Sequence, residues 1–235
     1  MRALLAALLL PGTVCAQEFV TAPRPLDDTA FYRAVACAAA PGEPCRKPFL
    51  RWPAERRGAL TVALASVAGP PERRALYARG LADAVAEINL LDAGVRLTAR
   101  DGPADIEVHV VATPPGHVMR DTGVPDLDGA QLALGRVALR VRDGAIREAL
   151  IAVSAWTPEG QVGPVFLEEI VQGLGLITDI RGPAARRSLF SEDANAVVRL
   201  EGQDAMALRR HYAPDDTPDG GEDPGRPSAP IPDES

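Results

Sequence analysis

The chain has 235 residues, 46% of them hydrophobic, and a formal net charge of −7. That length suits one domain with a real core. The absence of a basic face or of aromatic-basic alternation points away from nucleic acid. The acidity is local: residues 214–235 hold five Asp and two Glu against one Arg, which leaves only −2 for residues 17–213.

At the start, Arg2 precedes an apolar run from Ala3 to Leu10 that is too short to span a bilayer. Val14 and Ala16 then stand where a signal peptidase wants small residues, so residues 1–16 read as a signal peptide cleaved before Gln17. The expected location is periplasmic or secreted. Cys15 opens a lipoprotein alternative, although Gly12 and Val14 are not the residues lipid attachment prefers beside it. No other apolar run is long enough for a transmembrane segment. Lysine occurs once, at Lys47, in an arginine-rich chain, which suits a GC-rich bacterial genome.

Residues 17–57 form an N-terminal extension, with an extended, poorly packed leader over 17–29 and a short helix over 30–40. Cys37 and Cys45 flank the turn Pro41-Gly42. In an oxidising compartment such a pair closes a small disulfide loop, contributing about 2–3 kcal/mol by restricting the unfolded chain. Two sulfurs without a nearby His do not make a zinc site.

A second unit is expected over 58–213. Its first strand, 58–66, is dense in apolar and β-branched residues and stops at Gly69-Pro70-Pro71. Tyr77, Leu81, Val85 and Ile88 make one apolar stripe on a helix over 71–92. Strands follow at 94–99 and 104–112, then a loop over 113–131 rich in Pro, Gly and Asp. Asp143-Gly144 marks a hairpin between strands 132–141 and 147–156. After a connector over 157–164 come a helix over 164–174, stopped by Gly175, and a last helix over 201–212. The sum is an α+β fold: a mixed, mostly parallel sheet with a long backing helix and two C-terminal helices. The tail 214–235, with six prolines and almost nothing apolar, is expected to be disordered.

The stretch "EEIVQGLGLIT" (168–178) resembles the metzincin metalloproteases of matrixin and serralysin style, whose motif is H-E-x-x-H-x-x-G-x-x-H. "SLF" (188–190) falls where that family has its methionine turn, and "DAMALRRHY" (204–212) is similar to its last helix, D-x-x-A-L-x-x-x-Y. The resemblance implies a zincin-like fold. It puts Glu168, Gln172 and Thr178 at the three zinc-ligand positions, Glu169 at the general-base position, Gly175 at the turning glycine and Phe190 at the methionine. Together with "FYRAVAC" and "RW" upstream, the chain looks like an uncharacterised family of exported proteobacterial proteins.

An amide and a hydroxyl are poor zinc ligands, so no metal and no cofactor are expected, and Glu169 is a vestigial base. The candidate cleft comprises Glu168, Glu169, Gln172, Gly175, Thr178 and Asp179. The plain alternative makes Glu168 and Glu169 solvated acids in a helix's first turn, favourable to its dipole. The resemblance implies a catalytically inactive domain that binds an extended peptide or envelope protein at an edge strand within 132–141, as binding or scaffold protein. The alternative is a peptidase-like hydrolase using Glu169 with a non-standard metal or none. A third possibility is a purely structural envelope protein. His109, His117 and His211 fit no shared site, and Ser154 and Ser188 lie in no nucleophile motif.

One measurement checks the processing. Intact mass of the protein from its native host should place the N-terminus at Gln17 and rise by two hydrogens on reduction. A lipid-modified Cys15 or two freely alkylated thiols overturns that expectation.

Overall fold

A computed structural model describes residues 12–15, 18–193 and 196–213. The tail 214–235 and all of the expected signal peptide except Gly12–Cys15 lie outside them. In chain order the elements are β1 (Gly12–Cys15), β2 (Glu18–Thr21), α1 (Asp28–Cys37), α2 (Ala54–Arg57), β3 (Leu60–Val67) and α3 (Arg74–Leu90). Then come β4 (Leu97–Ala99), β5 (Ile106–Val111), β6 (Gly135–Arg142), β7 (Ala145–Ser154), α4 (Glu159–Gly173), β8 (Thr178–Arg181) and α5 (Gly202–His211).

The architecture is α+β. A six-stranded sheet runs β1-β6-β7-β5-β3-β4, and β2 and β8 form a separate parallel pair. Strands β4, β3, β5 and β7 are mutually parallel, whereas β6 runs antiparallel to β7 and β1 antiparallel to β6. The reversal at β6 follows from the tight Asp143-Gly144 turn, where both residues take positive φ (54° and 73°). The parallel neighbours each need a longer crossover.

One face of the sheet packs on the helices. Val62, Ile106, Val108, Ile151 and Val153 meet the buried stripe of α3 and the apolar side of α4 in a single core. Leaving a hydrophobic side chain of this size exposed instead would forgo about 1.5–3 kcal/mol each. Gly80 lets α3 and α4 approach: a Cβ there would lie 2.9 Å from Val162 Cγ1.

That approach explains the first departure from expectation. The stretch 157–164 is not a connector but mostly the opening of α4, which starts after Pro158 and contains Pro164. Burying Val162 against Gly80 offsets what a proline inside the helix costs.

The expected loop 113–131 has no named strand, yet it is packed. Met119, Val124 and Leu127 join Leu132, Ala138, Leu150 and Ala152 in a second small core on the opposite face of the sheet.

The leader over 17–29 is corrected where it is described. Val20 and Ala22 are buried, because β2 pairs with β8, a strand that the apolar pattern did not announce. Helix α1 starts as a capped helix should, with Asp27 Oδ1 accepting from Ala30 N at 2.7 Å. It shares its core with the sheet through Phe31, Tyr32 and Val35, and Cys37 is joined to Cys45 as expected. Among the described residues no helix is long and apolar enough to cross a membrane.

Gly80→Val tests the helix approach. Overpacking should lower stability by about 1–3 kcal/mol, read as an earlier denaturant midpoint at unchanged slope. An unaltered midpoint would show that α3 and α4 are not in tight contact there.

Candidate functional site

The second half of α4 carries Glu168, Glu169 and Gln172, and β8 begins with Thr178 and Asp179. Between them Gly175 has φ +105°, a backbone state that L side chains rarely adopt. Space forbids a side chain as well: a Cβ at Gly175 would overlap the carbonyl oxygen of Leu50 and come within 2.9 Å of His211 Nε2. The turn folds β8 back onto the helix, so that Gln172 Nε2 donates to Asp179 Oδ1 at 3.0 Å with both side chains buried.

Residues far away in sequence hold the end of the helix. Trp52 Nε1 donates to Gly173 O at 3.0 Å and Tyr212 Oη donates to Leu174 O at 2.6 Å. These are carbonyls that a helix end leaves without intrahelical partners. His211 Nε2 lies 2.8 Å from Leu50 O, and Tyr32 Oη lies 3.2 Å from Nδ1. Burial, with Arg51 nearby, pushes His211 down to about 3. The ring is therefore neutral, with Nε2–H donating to Leu50 and Nδ1 accepting from Tyr32. His211 is a structural member of this turn.

Glu169 is only 5% exposed and sits against the backbone of β6, where a Cβ on Gly135 would overlap its carboxylate. Its Oε2 has no hydrogen-bond partner. Burial pushes its carboxyl well above the usual range, the negative charges of Glu168 and Asp179 push the same way, and Arg136 opposes them. Burial also raises Asp179, with Glu168 and Glu192 adding to it and the Gln172 hydrogen bond opposing. Thr178 is fully buried and its Oγ1 lacks a partner. Glu168 is half-buried.

Glu168 and Glu169 are thus not solvated acids of a first turn. The helix begins at Glu159, and its positive end is more than two turns away. The arrangement brings the candidate residues together as a cluster of carboxyls, one amide and one hydroxyl. Burial favours the protonated form of Glu169. Among the described residues no group of three or more His, Cys, Asp or Glu is placed to hold a metal ion.

The neighbouring segments also have defined work. Asp204 accepts from Ser188 Oγ at 2.6 Å and from Leu189 N at 2.7 Å, tying the turn 188–190 to the last helix. Phe190 is fully buried and meets Phe31 edge-on at 6.1 Å. The other histidines lie elsewhere. His109 on β5 has Ser66 Oγ 3.1 Å from Nδ1 and Glu107 Oε2 3.4 Å from Nε2, a cross-strand polar set. His117 lies exposed in the 113–131 loop. Ser154 Oγ donates to Thr113 O at 2.7 Å, a structural contact.

The sequence singled out neither Gly135 nor Arg136, and it marked Trp52 only within the "RW" pair. Gly135 did carry a signal, since a glycine inside a strand marks a close approach. Arg136 carried none, and the role of Trp52 could not be read from its motif, because each matters through a partner from another part of the chain.

A family model described as protein of unknown function (DUF2927) matches residues 28–218. No curated protein matches the chain.

Glu169→Gln tests the buried carboxyl. An acid whose folded-state value is raised above about 4.5 costs nothing while both states are protonated. Stability then falls as pH climbs from there towards the folded value, because only the unfolded state releases its proton. The variant's melting temperature relative to the parent should therefore rise between pH 4 and pH 8. Parallel pH profiles would mean that Glu169 ionises normally.

Proposed function

The chain belongs to the family described as protein of unknown function (DUF2927), and we propose that it is an exported bacterial envelope protein whose metzincin-like domain binds extended polypeptide without zinc catalysis. One observation carries this reading. The antiparallel strand β6 flanks the parallel sheet beside the carboxyl cluster of α4, with Gly135 against Glu169. In metzincins an edge strand beside the active helix receives the substrate, and the residues first assigned to that role, 132–141, overlap β6 over 135–141. The element order supports the likeness: β3, α3, β4, β5, β6 and β7 precede the motif helix α4, and α5 closes the domain.

The ligand chemistry supports the non-catalytic half. Catalytic zinc wants three protein ligands, chiefly imidazole, thiolate or carboxylate, plus an open position. Here the three positions offer a carboxylate, an amide already bonded to Asp179, and a buried hydroxyl. Hydrolysis with Glu169 as base is the weaker reading, because burial favours the protonated form of a group that must be ionised to accept a proton. Strand addition asks for less: main-chain groups supply affinity and side-chain pockets supply selectivity.

Replacing Glu168, Gln172 and Thr178 together with His tests the likeness. Glu168 and Gln172 are one helical turn apart, and the Gly175 turn brings β8 back to Gln172. Zinc–nitrogen bonds of about 2.0–2.1 Å demand that the three positions already converge. The purified parent should retain no zinc after dialysis, whereas the folded variant should retain about one ion per chain, the stoichiometry of a single site. A folded variant that binds no more than the parent would rule out the metzincin register. Activity is expected to stay low, since absent supporting residues weaken zinc binding by about 10–100-fold.

A further inference from the structure

The surface proposed for peptide binding already carries a strand of the protein's own N-terminal segment. β1 adds antiparallel to β6 in the register Gly12↔Val141, Thr13↔Arg140, Val14↔Leu139 and Cys15↔Ala138. Beyond residues 16 and 17 the same segment pairs again, now parallel with β8, from Glu18↔Thr178 to Thr21↔Arg181. β6 carries Gly135 against Glu169, ahead of the stretch that β1 pairs, and β8 opens with Thr178 and Asp179.

We propose that residues 12–15 are a built-in occupant of the β6 edge, and that cleavage before Gln17 opens this edge to an extended, uncharged peptide from another molecule. The inference rests on the peptide-binding reading above and on the processing site read from the sequence.

The two halves of the segment are anchored differently. β2 is held by more than its pairing. Val20 is buried, Ala22 N donates to Arg181 O at 2.9 Å, and Glu18 pairs with Lys47 at 2.6 Å and Arg46 at 3.4 Å. The Arg181 guanidinium stacks on the Phe19 ring. Residues 18–21 therefore stay when the preceding residues leave, and the β8 side of the site persists. β1 is a four-residue edge strand, and its loss leaves main-chain donors and acceptors over Ala138–Val141 without their strand partner. An open edge of that kind is a ready template for another strand.

The chemistry of the incoming peptide follows from the occupant it replaces. The segment that fits, "GTVC", carries no charged residue. Recognition through the main chain tolerates many sequences, as donor-strand complementation does. A tethered occupant also competes at an effective concentration in the millimolar range. The unprocessed chain is thereby self-blocked.

The test uses two forms of the protein, the full chain produced without processing and the form starting at Gln17. The probe is a fluorescent peptide of residues 10–16 with its cysteine replaced by serine. Anisotropy should show saturable binding to the Gln17 form, and at least about ten-fold weaker apparent affinity for the full chain, where the tethered strand competes. Val14→Pro in the full chain, which disrupts β1 without shortening anything, should restore binding to the level of the Gln17 form. Only alternate residues of a strand direct their amides at one neighbour. Of two peptides, N-methylated at Thr13 and Cys15 or at Gly12 and Val14, one should bind like the parent and the other should not.

If the full chain binds as tightly as the other two forms, self-occupancy is wrong while the peptide-binding reading survives. If neither the Gln17 form nor the Val14→Pro chain binds, with the Cys37–Cys45 bridge intact and a cooperative melt, the peptide-binding reading itself fails. If both methylated peptides bind normally, the contact is not strand addition, and the proposal falls.

Discussion

The site depends on a single backbone constraint, the turn at Gly175. The chain must leave helix α4 at positive φ, and the volume that a side chain would fill is taken by the Leu50 carbonyl and the His211 ring. Only glycine meets both conditions. Because the turn is so tight, β8 returns along the helix and Asp179 reaches Gln172. The buttress comes from both ends of the chain, Tyr32, Leu50 and Trp52 on one side and His211 and Tyr212 on the other. The N-terminal extension is thus part of the wall of the site, which accords with a family match that begins at residue 28.

Burial sets the electrostatics. Glu169 and Asp179 are nearly without solvent, and two carboxyls in low dielectric beside a third acid are both pushed towards the protonated form. In a cluster that resembles the remains of a metal site in residue position, burial and the neighbouring acid push Glu169 and Asp179 towards their neutral forms. The cluster still has acceptor capacity, because Glu169 Oε2 and Thr178 Oγ1 lack partners within the protein. Unmade bonds of this kind are costly, about 1–3 kcal/mol each.

The sheet adds the second element of the site. Four parallel strands are covered by α3 and α4, and the one reversal, at β6, places a strand of opposite direction on the flank beside the acids. Such a flank needs a neighbour, and β1 supplies one. The 113–131 loop covers the other face with its own apolar residues. The surface around β6 is therefore defined by packed elements and not by a free loop.

The sequence by itself determined the elements whose information is local. The stripe of Tyr77, Leu81, Val85 and Ile88 specified α3, Asp143-Gly144 specified the hairpin, and Pro41-Gly42 between two cysteines specified a short bridged loop. The spacing from Glu168 to Thr178 grouped the site residues, since a helix and one glycine turn are short-range geometry. Only the tertiary structure decided the rest. Pro164 argued for a connector until Val162 packed at Gly80, and the short strands β2 and β8 become strands only by pairing across some 160 residues of chain. The upward shift of the Glu169 carboxyl was decided in the same way. Burial is a property of everything packed around a group, and this carboxyl lies against Gly135 of β6 and feels the charge of Asp179 on β8 as well as that of Glu168 on its own helix.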